Sequence, residues 1–387
     1  MCSGAKSRLR RATAYGGLFV IDAESGETLC RSAGRTRRVP ASNMKLFTTA
    51  AVLGRFGADQ QLQTSLWSVG ALENGVLGGN LYLVGGGDPA LTSSAFAKGI
   101  HGGRGTSLTG LVDAVETAGI ERVTGRVMAD DTIFDRRRGV ADSHYTTSPY
   151  IGPLSGLSFN FGYADSSHFA SDPAKVAAAK LAASLRGAGV SISKQVGLGE
   201  LPAGGEGASR VELGAVESPS MEVLANETDI DSNNFFAEML LKGLGARFGV
   251  RGSTRAGAKV AKRFARKLGS GARIVDGSGL SRGNRATPAQ VARLLVGMRS
   301  TDSADAFAEA LPLAGREGTV ATRMRGTAAE GRCRTKTGTI TGVSALSGYC
   351  FNSSGRVMAF SILMNGVGDL YGARAQQDRI AALIARY

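Results

Sequence analysis

The chain has no run of about 18 consecutive apolar residues, so no segment reads as a membrane-spanning helix. It has no C-x-x-C pair among its four cysteines and only three scattered histidines, His101, His144 and His168. Neither a metal site nor a metal cofactor is expected from that set. It lacks a helix-turn-helix, a zinc-finger spacing and an aromatic platform among its arginines, so nucleic acid is not the expected partner. Residues 1–13 are basic but are followed by no apolar signal core, so no export signal is visible and the segment reads as a tail.

What is present bounds the answer. The 387 residues suffice for one large domain or two to three modest ones, and 43% hydrophobic against 20% charged residues supports a buried core. Glycine is abundant, at 55 residues, without a three-residue period, which means many turns rather than a collagen-like rod. The net charge of +14 fits an anionic partner such as a membrane surface or acidic wall polymers, and equally a genome rich in Ala, Gly and Arg codons.

Taken in order, 17–22 and 28–32 read as a hairpin around the turn Glu24-Ser25-Gly26-Glu27. Val39-Pro40-Ala41-Ser42-Asn43-Met44-Lys45 then opens a helix buried on most sides, with Gly54 as its stop. From Asp59 the elements become short and glycine-rich. Strands are expected over 63–69, 80–84, 122–129, 190–198 and 210–216, with helices over 107–118 and 174–187. Gly85-Gly86-Gly87-Asp88 lacks the following helix and lysine of a phosphate loop. Residues 59–217 thus read as an inserted region. Beyond it, an amphipathic helix follows Asp231-Ser232-Asn233-Asn234, with Phe235, Met239, Leu240 and Leu241 on its apolar side. Residues 256–268 form a basic amphipathic helix, and Thr287 caps another with Pro288 at its first position. Three strands are expected at 332–339, 344–351 and 356–364, and a last helix within 369–386. If Thr339 faces Ser344, then Cys333 faces Cys350. That pairing allows a cross-strand disulfide, which would imply an oxidising compartment, or two buried thiols side by side.

Three polar groups stand out. Ser42 sits at a helix start, where free N–H groups favour developing negative charge, and Lys45 lies one turn on. A lysine among apolar neighbours is driven toward its neutral form and becomes a base. Ser3/Lys6 and Ser191/Lys194 share the spacing, but the first lies in the basic tail and the second on a strand, where i and i+3 point to opposite faces. Ser232 and Asn234 form a polar corner, which helix capping by Ser232 also satisfies; Ser158-Phe159-Asn160 repeats the pattern in a loop. Lys336-Thr337-Gly338 offers a cation, a hydroxyl and a small residue beside which a substrate could lie as an extra strand.

Ser42-x-x-Lys45, Ser232-x-Asn234 and Lys336-Thr337-Gly338, in that order, are the trio shared by class A β-lactamases and penicillin-binding proteins. With Gly85-Gly86-Gly87-Asp88-Pro89, Ala237-Glu238-Met239-Leu240 and Asp276-Gly277-Ser278-Gly279-Leu280-Ser281, the chain resembles the D-alanyl-D-alanine carboxypeptidase/endopeptidase family of low-molecular-mass class C penicillin-binding proteins from about Ala14 to Tyr387. The resemblance implies an α/β (α+β) chain of β-lactamase/transpeptidase-like fold: an antiparallel sheet sandwiched by helices, with an inserted smaller α/β region. Residues 14–58 and 218–387 would form the transpeptidase-like domain and 59–217 the insert, here shorter than in fuller members. It further implies Ser42 as nucleophile, Lys45 as base, and Ser232, Asn234 and Lys336 as proton-shuttling and binding groups. Thr337, Gly338 and Thr339 would hold the substrate. The implied partners are peptidoglycan stem peptides and β-lactams, the implied location is the cell envelope, and no cofactor is needed. The alternatives are a β-lactamase, with Glu222 and Asn226 as a misplaced deacylating pair, and a silent wall-binding protein of the same fold.

Overall fold

The computed structural model describes residues 1–99, 103–203 and 209–387, so His101 lies outside the described residues. The first passage of chain gives α1 (Cys2–Ala12), β1 (Tyr15–Asp22), β2 (Thr28–Ser32), a 3-10 turn (Ala41–Met44) and α2 (Lys45–Phe56). The second gives β3 (Gln63–Glu73), β4 (Val76–Val84), α3 (Ser94–Lys98), α4 (Thr109–Thr117), β5 (Arg122–Val123), β6 (Val127–Asp130), α5 (Pro173–Gly187), β7 (Ser191–Ile192), β8 (Gly197–Leu198) and β9 (Arg210–Glu217). The third gives α6 (Met221–Asp229), α7 (Asn234–Phe248), α8 (Thr254–Lys267), α9 (Pro288–Met298), α10 (Ala304–Glu309), β10 (Cys333–Ile340), β11 (Val343–Phe351), β12 (Val357–Asn365) and α11 (Leu370–Ala385). Contacts divide the chain into two units: Met1–Asp59 with Met221–Gly249 and Thr254–Tyr387, and Gln60–Ser220 with Val250–Ser253.

The first unit is built on a five-stranded sheet in the order β10-β11-β12-β1-β2, antiparallel throughout. Strands from both ends of the chain therefore meet at its centre. β11 and β12 are buried along almost their whole length, as strands covered on both faces must be. Leu18, Val20, Leu346, Phe360 and Ile362 pack with Ala5 and Leu9 of α1 and with Ile380, Ala381 and Ile384 of α11. On α9, the Leu295 carbonyl accepts the Tyr349 hydroxyl at 2.5 Å, so this buried tyrosine leaves no orphan donor.

Thr339 pairs with Ser344 and Cys333 with Cys350, and the two sulfurs form a disulfide. The turn is tighter than expected, since pairing continues to Ile340 and Val343. Replacing Cys333 and Cys350 by serine should cost about 3 kcal/mol, the loop-closure entropy of a 17-residue separation. Urea unfolding would show this as a lowered midpoint, with a slope that rises as the freed unfolded chain exposes more surface.

The N-terminal segment is not a tail. It is a helix whose Ala5 and Leu9, one turn apart, are buried while Arg10 and Arg11 are exposed, and Cys2 is bridged to Cys30 of β2. Two small contacts and a cross-link hold it, and neither gives a periodic signal strong enough to read. The helix after Asn233 is also different from expectation. Phe235 to Gly245 are all buried, Glu238 and Lys242 included, so α7 is enclosed rather than amphipathic. Nor does Gly54 stop α2. The helix runs on to Phe56, with Gly57 as its C-cap, and Gly54 is small because the Phe264 ring lies where a Cβ would sit, 2.1 Å away.

In the second unit, β3, β4 and β9 are antiparallel neighbours, while β5 and β6 lie parallel to β4. Leu66, Leu81 and Leu83 pack against Leu111 and Val115 of α4 and Leu181 and Leu185 of α5. The segments 122–129 and 190–198, expected as single strands, are each two short ones. Between β5 and β6 the Arg126 N–H bonds the Asn80 side chain instead of a backbone carbonyl, which interrupts the ladder. Asp88, at the end of the glycine run, turns into its own loop and accepts from Ala90 N at 2.7 Å and Thr106 Oγ1 at 2.5 Å.

Candidate active site

Ser42 lies on the 3-10 turn that leads into α2 and is half-buried. The residue before it, Ala41, is held at φ +48°, a left-handed conformation that a non-glycine residue adopts only when its surroundings impose it. Lys45 is fully buried, and its Nζ has three neighbours: Ser42 Oγ at 3.3 Å, Asn234 Oδ1 at 2.7 Å and the Ser278 carbonyl at 2.8 Å. Two of these are carbonyl oxygens, which only accept. A neutral amine has two N–H bonds and one lone pair. If the N–H bonds go to Asn234 and Ser278, the lone pair is left facing the Ser42 hydroxyl. Burial does most to lower the Lys45 pKa to about 7, and the nearby positive charge of Lys336 lowers it further.

Asn234 opens α7, whose N-cap is Asn233, accepting from Phe236 N at 3.2 Å. Ser232 is therefore not the cap. It sits at φ +62° in the corner, half-buried.

β10 is locked to the Ser42 turn by Asn43, a residue that the sequence reading passed over. Asn43 Nδ2 donates to the Lys336 carbonyl at 2.9 Å, and its Oδ1 accepts from Ser347 Oγ at 2.6 Å. Lys336 is also fully buried; its Nζ lies 3.2 Å from the Thr337 carbonyl, and burial lowers its pKa to about 8. From sequence, Gly338 is small so that a substrate can lie along the strand. The structure puts a second demand on it, because a Cβ there would stand 2.9 Å from the Pro40 carbonyl and 3.1 Å from Ser42 N. Thr337 and Thr339 project from the strand with partners of their own, Thr319 Oγ1 at 2.8 Å and Arg374 Nη2 at 3.2 Å.

A model of the D-Ala-D-Ala carboxypeptidase 3 (S13) family matches residues 5–168 and 163–387. The chain belongs to that family. It is 32% identical to the D-alanyl-D-alanine carboxypeptidase of Actinomadura sp. strain R39, over 97% of this chain and 82% of the relative. It is 28% identical to carboxypeptidase DacB of Mycolicibacterium smegmatis, over 94% and 79%. The fold is that of penicillin binding protein 4 (dacB) from Haemophilus influenzae, with a TM-score of 0.81 at 20% identity and 99% of both chains covered. The protein is a serine-type hydrolase of the D-Ala-D-Ala carboxypeptidase kind.

In this family member three buried carboxylates surround the lysines, and none was singled out from sequence as a site residue. Glu238 Oε1 accepts from Gly277 N at 3.0 Å and Ser278 N at 2.7 Å, and so fixes the loop whose Ser278 carbonyl holds Lys45. Asp276 ties the same loop through Gly279 N, Ser281 N and Asn284 Nδ2. Asp229 accepts from Thr49 Oγ1 at 2.8 Å. Burial raises the pKa of all three; Asp229 reaches about 6, held back by the charge of Lys336. A charged residue inside the apolar run Phe235–Leu241 was the available signal for Glu238.

Gly279, at φ +88°, packs against the Ser42 turn, and a Cβ there would fall 2.0 Å from the Ala41 carbonyl. Gly279→Ala should therefore destabilise by more than about 1 kcal/mol and slow acylation by penicillin. Thermal melting with stopped-flow acylation checks both, and wild-type values for the variant would contradict this packing role. Among the described residues, the Asn226 Oδ1 is buried with no hydrogen-bond partner.

Proposed function

We propose that this enzyme removes or cleaves at D-alanine in peptidoglycan stem peptides through an acyl-Ser42 intermediate. The reading rests above all on the Lys45 amine, shared among Ser42, Asn234 and the Ser278 carbonyl. Ser42 Oγ attacks the carbonyl between two D-alanines while Lys45 takes its proton. The N–H groups of Ser42 and Thr339 stabilise the oxyanion. The proton passes by way of Ser232, helped by Lys336, to the leaving amine; the terminal D-alanine departs, and water releases the acyl group. Asn234 holds Lys45 and the substrate amide, and Thr337, Gly338 and Thr339 line the strand along which the peptide lies. β-Lactams, which imitate the D-Ala-D-Ala unit, form the same ester and leave it slowly.

In this proposal residues 14–58 and 218–387 form the catalytic domain and 59–217 an inserted one. The substrate places the enzyme in the cell envelope, and the two disulfides suit that oxidising setting. Arg255, Lys259, Arg263, Arg266 and Lys267 are exposed along α8, which supports peripheral contact with anionic membrane or wall polymers.

Digestion of purified muropeptides, monomeric and cross-linked, tests the reading by the masses of the products. Loss of D-alanine from pentapeptides is expected, and cut cross-links would add endopeptidase action. Untouched muropeptides with rapid penicillin turnover would replace it with a β-lactamase.

A further inference from the structure

A cavity of about 650 Å³ opens in the second unit, and the residues that line it all belong to that unit. Its size is that of small-molecule sites, roughly 300–1,000 Å³. Phe159, Leu108 and Val112 form its apolar part. Around them stand the hydroxyls of Thr92, Ser93, Ser94, Ser107, Thr109 and Ser184. The lining adds one amide, Asn160, and one cation, Lys180; among the described residues no carboxylate lines it.

Part of this polar set is fixed and part is free. Asn160 Oδ1 accepts from Thr92 Oγ1 at 2.7 Å and from Ser93 N at 2.9 Å, which anchors the amide in the wall. Its Nδ2 reaches Ser93 Oγ only at 3.5 Å, so N–H capacity is left over. The Ser107 and Thr109 hydroxyls share one bond at 2.7 Å. Ser94, Ser184 and Lys180 are exposed, and among the described residues their side chains have no partner. Asn160 and Phe161 lie at φ +50° and +58°, and two successive non-glycine residues hold that conformation only when their surroundings impose it. The Phe96 ring meets Phe161 edge-on at 5.4 Å and braces this turn.

The lining selects among ligands. An apolar molecule would strip water from the hydroxyls and leave them unpaired. A cation would find no carboxylate, and a multiply charged anion would find a single exposed amine. A neutral molecule with many hydroxyls and a short apolar group matches the set.

We propose that this cavity is a saccharide site that takes an N-acetylated amino sugar of a glycan strand. The sugar hydroxyls pair with Ser94, Ser184 and Lys180, and the acetamido carbonyl accepts from Asn160 Nδ2. The acetyl methyl and the ring C–H groups lie on Phe159, Leu108 and Val112. The use of the site, to keep the enzyme on the polymer that carries the stem peptides, rests on the peptidase reading; sugar binding itself does not.

The probe is chitotetraose, four β-1,4-linked N-acetylglucosamines, titrated into the full chain and followed by calorimetry. Wild type should bind it, and Ser42→Ala should bind it equally. Asn160→Ala should weaken binding about 10-fold or more. Because that amide also holds Thr92 and Ser93, Ser184→Trp is the second variant: it fills the cavity from an exposed position on α5 and should abolish binding without changing the melting temperature. On insoluble peptidoglycan Ser184→Trp should slow D-alanine release about 10-fold, while kcat/KM on a sugar-free pentapeptide stays within about twofold. The proposal is overturned if wild type does not bind chitotetraose or if Ser184→Trp binds it as well. Equal affinity for cellotetraose, which lacks acetamido groups, or equal losses on polymer and free peptide would overturn it too. A wild type that binds chitotetraose but is inert on the pentapeptide would keep the sugar site and remove the peptidase reading.

Discussion

Ser42→Ala should lower kcat for release of D-alanine by about 10⁴-fold or more, because the attacking oxygen is lost and, among the described residues, no other hydroxyl is hydrogen-bonded to the Lys45 amine. KM should change little, since the strand and the polar corner that bind the peptide remain. The substitution removes one oxygen from a half-buried position, so the melting temperature should stay within a few degrees of wild type. Steady-state kinetics with a D-Ala-D-Ala peptide, beside a thermal melt, separates chemistry from folding. A variant that keeps a tenth of wild-type kcat would assign the nucleophile elsewhere.

Lys45→Met should be nearly as damaging, with kcat down by about 10³-fold or more, while its effect on stability is a balance, since Met leaves the Asn234 and Ser278 carbonyl oxygens without their donor. A buried amine costs desolvation energy, and Met fills the same space without that cost. The wild-type pH profile carries the same point. Acylation needs Lys45 neutral, so kcat/KM should rise with pH through about 7. If proton return to the leaving amine needs charged Lys336, the rate should fall again above about 8. The two lysines interact, so these limbs belong to the pair as a whole. Stability gives an independent sign. The folded state holds Lys45 at about 7 against an ordinary 10.5, so the unfolded chain binds more protons between those values. Wild type should therefore gain stability relative to Lys45→Met as pH rises through that window. A flat difference in urea midpoints across it would show that Lys45 is not a desolvated amine.

How much of this could be read beforehand varied with the length scale of the interaction. Once Thr339 is placed opposite Ser344, antiparallel geometry fixes every later pair as far as Cys333 and Cys350. The Ser42–Lys45 contact likewise follows from i, i+3 spacing on a helical turn. Nothing in the spacing says that Asn234, 189 residues further on, reaches the same amine; only the likeness to a family suggested it. Asn43 escaped notice because an amide beside a serine looks like ordinary helix-start polarity. Its importance lies in a bond to a strand 293 residues away. Arg374 escaped for a related reason: on a helix with several charged residues, an arginine bonded to Thr339 reads the same as one facing water. The enclosure of α7 was hidden because burial of Glu238 and Lys242 contradicts the pattern that a polar face normally signals.

The most direct measurement is the intact mass of the protein after incubation with benzylpenicillin, followed by peptide mapping of any adduct. One drug-sized increment is expected on the peptide holding Ser42, long-lived in wild type, absent in Ser42→Ala and strongly slowed in Lys45→Met. An adduct mapped to another serine, or one that persists in Ser42→Ala, would contradict the account.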